Sequence, residues 1–253
     1  MAAVEPAPRY EVCVESVSGC LAAEAGGADR VELCANLLEG GTTPSSGAVE
    51  GARAHLSIGL VVLLRPRPGD FLYDELELET LLRDLRRVRE LGADGVALGF
   101  LCRDGAVDAE RTARCVEAAA PLDVCFHRAF DHVRDPFEAL ETLAGLGVAR
   151  VLTSGGAPSA EEGRARIAGL VAAAAGRLAV VAAGGVRAHN AARIVAATGV
   201  RELHGSASGT RPSPMEHRNP ACLLGSPGAP GEYELRTTEE ERVRAVVRAL
   251  RAR

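Results

Sequence analysis

The chain contains no lysine: all 29 of its basic residues are arginine. Without a side-chain amine, Schiff-base chemistry, a lysine general base and a P-loop phosphate site are excluded. None of the seven cysteines stands in a Cys-x-x-Cys pair. That spacing argues against a closed zinc site and against a secreted disulfide framework. No basic stripe is present and the formal net charge is −5, so the chain is not expected to bind nucleic acid. Long apolar runs are missing too. Ile167 to Val186 is nearly continuous, but Gly176 and Arg177 divide it into pieces shorter than the ~18 residues of a membrane span. Met1–Tyr10 shows neither a basic start nor an apolar stretch, so no signal peptide is visible. A cytoplasmic protein without a membrane partner is expected.

What remains is an ordinary globular composition, 47% hydrophobic and 25% charged over 253 residues. No linker or shift in composition divides the chain, so one domain is expected over 1–253. It has an N-terminal extension at 1–9 and a long Pro/Gly/Ser-rich loop at 205–236 before the last helix. Short valine- and leucine-rich runs predict strands at Tyr10–Glu15, Asp29–Leu33, Gly59–Leu64, Gly95–Leu98, Asp123–Phe126, Arg150–Leu152, Leu178–Ala182 and Glu202–His204. They lack strict polar alternation, as strands covered by helices do. Between them lie amphipathic stretches such as Leu76–Leu91, Ala109–Ala119, Pro136–Leu146 and Ala160–Ala175, with a last helix at Thr237–Arg251. Asp135-Pro136 is a helix start, and Thr238-x-x-Glu241 reads as a capping box. Eight strand–helix units predict a (β/α)8 barrel. An open doubly wound sheet alternates in the same way, but no G-x-G-x-x-G follows the first strand.

Barrels carry their sites at the carboxyl ends of the strands. Glu15, Glu32, Arg65, His127 and His204 all stand at predicted strand ends. Period-two alternation then places Glu11 and Cys13 on the face of Glu15, Arg30 and Cys34 on the face of Glu32, and Cys125 on the face of His127. Desolvated charges need partners, so Arg65 is expected to pair with Glu15 or Glu32. The candidate acid/base groups are Glu15, Glu32 and His127. Arg65 and Arg67 are the candidate anion clamp, joined by the turns Ser154-Gly155-Gly156 and Gly184-Gly185. A charged cluster that merely satisfies itself is the plainer reading. Cys13 and Cys34 share the inner face; two soft thiolates suit Cu(I), and two small buried hydrophobes are the alternative. Cys20, Cys102, Cys115 and Cys222 look structural.

Several segments are similar to one known family. They are Glu11-Val-Cys-Val-Glu-Ser16, Ala25-Gly-Gly-Ala-Asp-Arg-Val-Glu-Leu-Cys34, Glu39-Gly-Gly-Thr-Thr-Pro-Ser45, Arg65-Pro-Arg-Pro-Gly-Asp-Phe71, Phe126-His-Arg-Ala-Phe-Asp131 and Leu152-Thr-Ser-Gly-Gly156. In this order they resemble the copper homeostasis proteins of the CutC family, over about residues 10 to 206. The chain departs at Ala182-Ala-Gly-Gly185, where the family commonly reads Pro-Gly-Gly-Gly; the Cβ of Ala183 limits backbone approach there. The resemblance implies a (β/α)8 barrel, a cytoplasmic location and Cu(I) binding at two cysteines that correspond to Cys13 and Cys34. Copper is thus the expected partner. A second reading is a barrel enzyme acting on a small anionic metabolite. A third makes the long loop an interface, with a homo-oligomer as the assembly.

Overall fold

The structure is a computed structural model that describes residues 7–219, 221–222 and 231–252. Eight strands close into one parallel barrel in sequence order. They are β1 (Arg9–Val14), β2 (Arg30–Leu33), β3 (Gly59–Leu63), β4 (Gly95–Leu98), β5 (Asp123–Phe126), β6 (Arg150–Thr153), β7 (Ala179–Ala183) and β8 (Glu202–Gly205). The helices between and after them are α1 (Val17–Ala25), α2 (Ser46–His55), α3 (Glu75–Glu90), α4 (Ala109–Ala119), α5 (Pro136–Gly145), α6 (Arg164–Ala174), α7 (Ala191–Thr198) and α8 (Glu240–Arg251). The expected (β/α)8 architecture is therefore present, and β1 closes the barrel by pairing with β8 from Arg9 opposite Glu202 to Val12 opposite Gly205.

Local sequence explains the elements. Leu78, Leu81, Leu85 and Val88 recur at helical spacing and form the buried face of α3. Asp74 starts that helix in a reciprocal capping box with Glu77. At α5, Asp135 accepts from the amides of Phe137 and Glu138 with Pro136 in the first turn, as its sequence predicts. The apolar stretch from Ile167 divides into α6 and β7, and no helix among the described residues is long and apolar enough to cross a membrane.

Alternation splits the strands between two environments. Val12, Val14, Val31, Leu33, Leu60, Val62, Val96 and Leu98 face outward into the core shared with the helices. Each such buried side chain contributes roughly 1.5–3 kcal/mol. Val61, Leu63, Ala97, Cys125, Leu152, Val181 and Ala183 face inward and fill the barrel, with Cys34 among them and Cys13 packed against them. This small-residue plug is the floor on which the mouth rests.

The region after β8 differs from the expectation of a plain loop. Ser208–Pro212 (β9) pairs antiparallel with Glu234–Thr238 (β10). Thr238 is therefore strand, opposite Ser208, and α8 begins after Glu239, which makes no side-chain cap hydrogen bond. The competing ladder hydrogen bonds override the Thr238 capping box. Parts of the long-loop expectation (220 and 223–230), and residues 1–6 of the expected N-terminal extension, lie outside the described residues.

Candidate functional site at the barrel mouth

A cavity of about 860 Å3 opens at the carboxyl ends of the strands. Cys13, Glu32, Arg65, His127, Gly184, Gly185 and His204 line it, with Arg103, Arg128 and Arg187. Of the residues read from the sequence, the fold gathers Glu32, His127, Arg65, Cys13 and the Gly184–Gly185 turn here. Cys34 is 1% exposed and belongs to the plug beneath. Cys102, expected to be structural, is exposed and also lines the cavity.

The polar centre of the floor is a network of Glu11, Glu32 and His204. Strand register accounts for it: Glu11 stands opposite both Arg30 and His204, and Cys13 opposite Glu32. Glu11 is 2% exposed; its Oε1 lies 2.7 Å from His204 Nδ1, and Arg30 donates to its Oε2. Arg30 also reaches Glu202 at 2.6 Å. Burial favours the neutral acid, but His204 and Arg30 outweigh it and bring the Glu11 carboxyl down to about 2. At Glu32 burial dominates and raises the carboxyl, with Glu11 adding to it against the pull of His204. Burial disfavours a charged His204, yet Cys13, Glu32 and Glu11 together hold its pKa well above the ordinary value. Its Nε2 is 3.7 Å from Glu32 Oε2.

The thiols sit on this network. The Cys34 amide continues the ladder to Val14 O at 2.9 Å. Its sulfur donates toward Glu32 O at 3.5 Å and Oε2 at 3.7 Å. Burial first, then the negative charge of Glu32 and the nearness of Cys13, pushes the Cys34 thiol well up. Cys13 is half-buried and lies against His204.

Three expectations are corrected. Glu15 lies outside the buried cluster: β1 ends at Val14, Ser16 caps α1, and the exposed Glu15 instead accepts the Leu37 amide at 2.7 Å. Alternation holds only while the strand lasts. Arg65 does not pair with Glu15 or Glu32; it donates to the carbonyls of Glu39, Gly41 and Gly69 at 2.7–2.9 Å and lies over the Phe71 ring. Arg67 is spent on its own loop and the start of α3, bound to Asp70, the Leu72 carbonyl and Glu77 and stacked on Tyr73.

The Ser154-Gly155-Gly156 turn also has an anion of its own. The Asp131 carboxylate, 5% exposed, accepts from Thr153 Oγ1 at 2.6 Å, from the Ser154 amide at 2.9 Å and from the Gly156 amide at 3.1 Å. Arg128 holds Asp131 at 2.7 Å. Gly155 has φ +73 and a Cβ there would come within 2.5 Å of Gly163 O, so the turn is closed against the start of α6. An incoming phosphate would have to displace Asp131.

Glu11, Arg30 and Asp131 were missed as site residues. Alternation puts Glu11 on the inner face with Cys13, but it lies below the strand end and nothing local shows its partners Arg30 and His204. His204 had been read as a strand end, but its partner Glu11 is 193 residues away.

Glu11, Glu32 and His204 present donor atoms within 4.8 Å of one another. That oxygen-rich set suits a hard cation, but Glu11 is already satisfied by Arg30 and His204. Beside it lie the two thiols, Cys13 against His204 and Cys34 against Glu32.

A model of the CutC family matches residues 9–209. A CutC family protein of Chromobacterium violaceum is 48% identical over 240 residues, covering 95% of this chain and 97% of its own length. The human copper homeostasis protein cutC homolog is 45% identical over 236 residues, covering 93% and 86%. The crystal structure of CutC from Streptococcus agalactiae superposes with a TM-score of 0.76 at 34% identity, over 79% of this chain and 98% of that one. Phosphoribosylanthranilate isomerase of Thermotoga maritima shares the barrel alone, with a TM-score of 0.57 at 13% identity over 97% of this chain and all of its own.

Proposed function

The chain belongs to the CutC family of copper homeostasis proteins, and from that premise we propose that it binds Cu(I) through Cys13 and Cys34 in the cytoplasm. The observation that carries this reading is the placement of the two thiols. They come from the ends of neighbouring strands and face into the barrel, Cys13 in the lining of the mouth against His204 and Cys34 in the plug directly beneath. Cu(I) favours soft sulfur ligands and low coordination numbers, which two thiolates supply. Burial and negative neighbours disfavour a free Cys34 thiolate. A bound monovalent cation would relieve that cost, because it neutralises the charge where it forms. A reducing compartment keeps such a thiol pair open, consistent with the cytoplasm.

X-ray absorption of the reduced protein loaded with one equivalent of Cu(I) tests the ligand set. Two sulfur scatterers at copper are expected. A spectrum described by nitrogen and oxygen alone would overturn the assignment.

A further inference from the structure

Copper engages little of the mouth. An ion held by two thiols fills a corner of a cavity of about 860 Å3, a volume within the roughly 300–1,000 Å3 of small-molecule sites. The lining also carries the sign opposite to that a cation would select. Arg65, Arg103, Arg128 and Arg187 face the cavity against Glu32 and Asp70, and Asp70 is paired with Arg67 at 3.0 Å. Arg128 is committed to Asp131. Arg187 donates to its neighbour's carbonyl, Val186 O, at 2.8 Å.

Arg65 and His127 make the demand specific. The Arg65 residue is 6% exposed, and its surroundings are neutral: three backbone carbonyls, the Phe71 ring and the Tyr73 hydroxyl. No carboxylate pairs with it among the described residues, and its Nε has no hydrogen-bond partner. A buried charge without a counter-charge is costly. His127, 5% exposed, accepts the Ala129 amide at Nδ1 at 3.2 Å. That bond assigns the ring proton to Nε2, which is buried and has no acceptor. The Phe71 ring lies 5.1 Å from the His127 ring and 5.1 Å from the Arg65 guanidinium, so the two groups share one wall. One uncompensated positive charge and two unused donors, side by side on a cavity wall, are complementary to an oxyanion.

We propose that the mouth binds a small organic anion, with its carboxylate or phosphate against Arg65 and His127 and its remaining atoms over Cys13, Glu32 and His204. Arg103 and Arg187 at the rim attract it from solution. The site does not depend on copper, so the two activities can be tested separately.

The test titrates reduced, copper-free protein by calorimetry with inorganic phosphate and, separately, with succinate at constant ionic strength. The His127 Nε2 resonance is followed in histidine-labelled protein. Saturable binding of at least one anion with movement of that resonance is expected, and the stronger of the two identifies a phosphate or a carboxylate site. His127→Phe removes one donor and is expected to weaken binding about tenfold. Arg65→Gln should abolish it; because Arg65 also ties three carbonyls and that variant can lose its fold, Arg187→Gln is the second probe, with a severalfold loss in a folded protein. No saturable binding of either anion, or undiminished binding in folded His127→Phe, would overturn the proposal.

Discussion

The carboxylate of Glu11 and the imidazole of His204, from the first and last strands of the barrel, meet at 2.7 Å beneath the mouth. With Arg30 on its other oxygen, Glu11 compensates two cationic partners in a region almost without solvent. Removing one member of a buried ion pair so that its partner stands alone costs about 3–5 kcal/mol; Arg30 keeps Glu202 and His204 keeps Glu32 nearby, so that figure is the upper guide here. Glu11→Gln keeps the shape and removes the charge. Its unfolding free energy from urea titration is expected to fall by up to that amount, and a loss below about 1 kcal/mol would mean that the network is solvated in a way the buried geometry does not allow.

Acid should weaken the fold through His127. Burial, with Arg65 adding to it, lowers this histidine from 6.5 to about 3. Below pH 6.5 the unfolded chain therefore takes up a proton that the folded chain refuses. The resulting stabilisation is complete above 6.5 and is lost as pH falls toward 3, at about 1.4 kcal/mol per pH unit. Glu32, raised above its ordinary 4.5, slopes in the opposite direction just above that value. The useful readout is consequently the difference between the wild-type and His127→Phe stability profiles. The variant should show a flatter acid limb between pH 6.5 and 4.5; parallel profiles would refute a buried neutral His127.

Asp131 should act as the clasp of the β6–α6 turn. Asp131→Ala leaves the amides of Ser154 and Gly156 and the Thr153 hydroxyl without their acceptor. A loss of about 1–3 kcal/mol per buried group left unsatisfied is the upper guide. Hydrogen exchange at the Ser154 and Gly156 amides should accelerate while the β1–β2 amides stay protected. Unchanged exchange at those two positions would show that other acceptors hold the turn.

Most of the barrel was legible in the sequence because its strands are short apolar runs buried on both sides, and observed and expected limits agree closely at β3, β4 and β5. The inner face was legible to the extent that alternation persists: Glu32 and Cys34 follow it within and just past β2, and Cys13 follows it along β1. Glu15 escapes because one residue beyond Val14 the chain is already turning into α1. Arg67 could not be placed because its partner Glu77 belongs to a helix cap, not to the mouth. Asp131 satisfies a turn 22 to 25 residues away, a contact made by the pairing of β5 with β6 and unseen in local pattern. β9 and β10 were missed for the same reason, since their pairing spans the long loop.

The most direct measurement of the copper assignment is an anaerobic competition titration with a Cu(I) chelator, run on the wild-type chain and on the Cys13→Ser/Cys34→Ser variant. The wild type is expected to withdraw one equivalent of Cu(I) from the chelator, and the double variant to withdraw none while keeping its cooperative unfolding. Equal withdrawal by both proteins would contradict the assignment of copper to these two thiols.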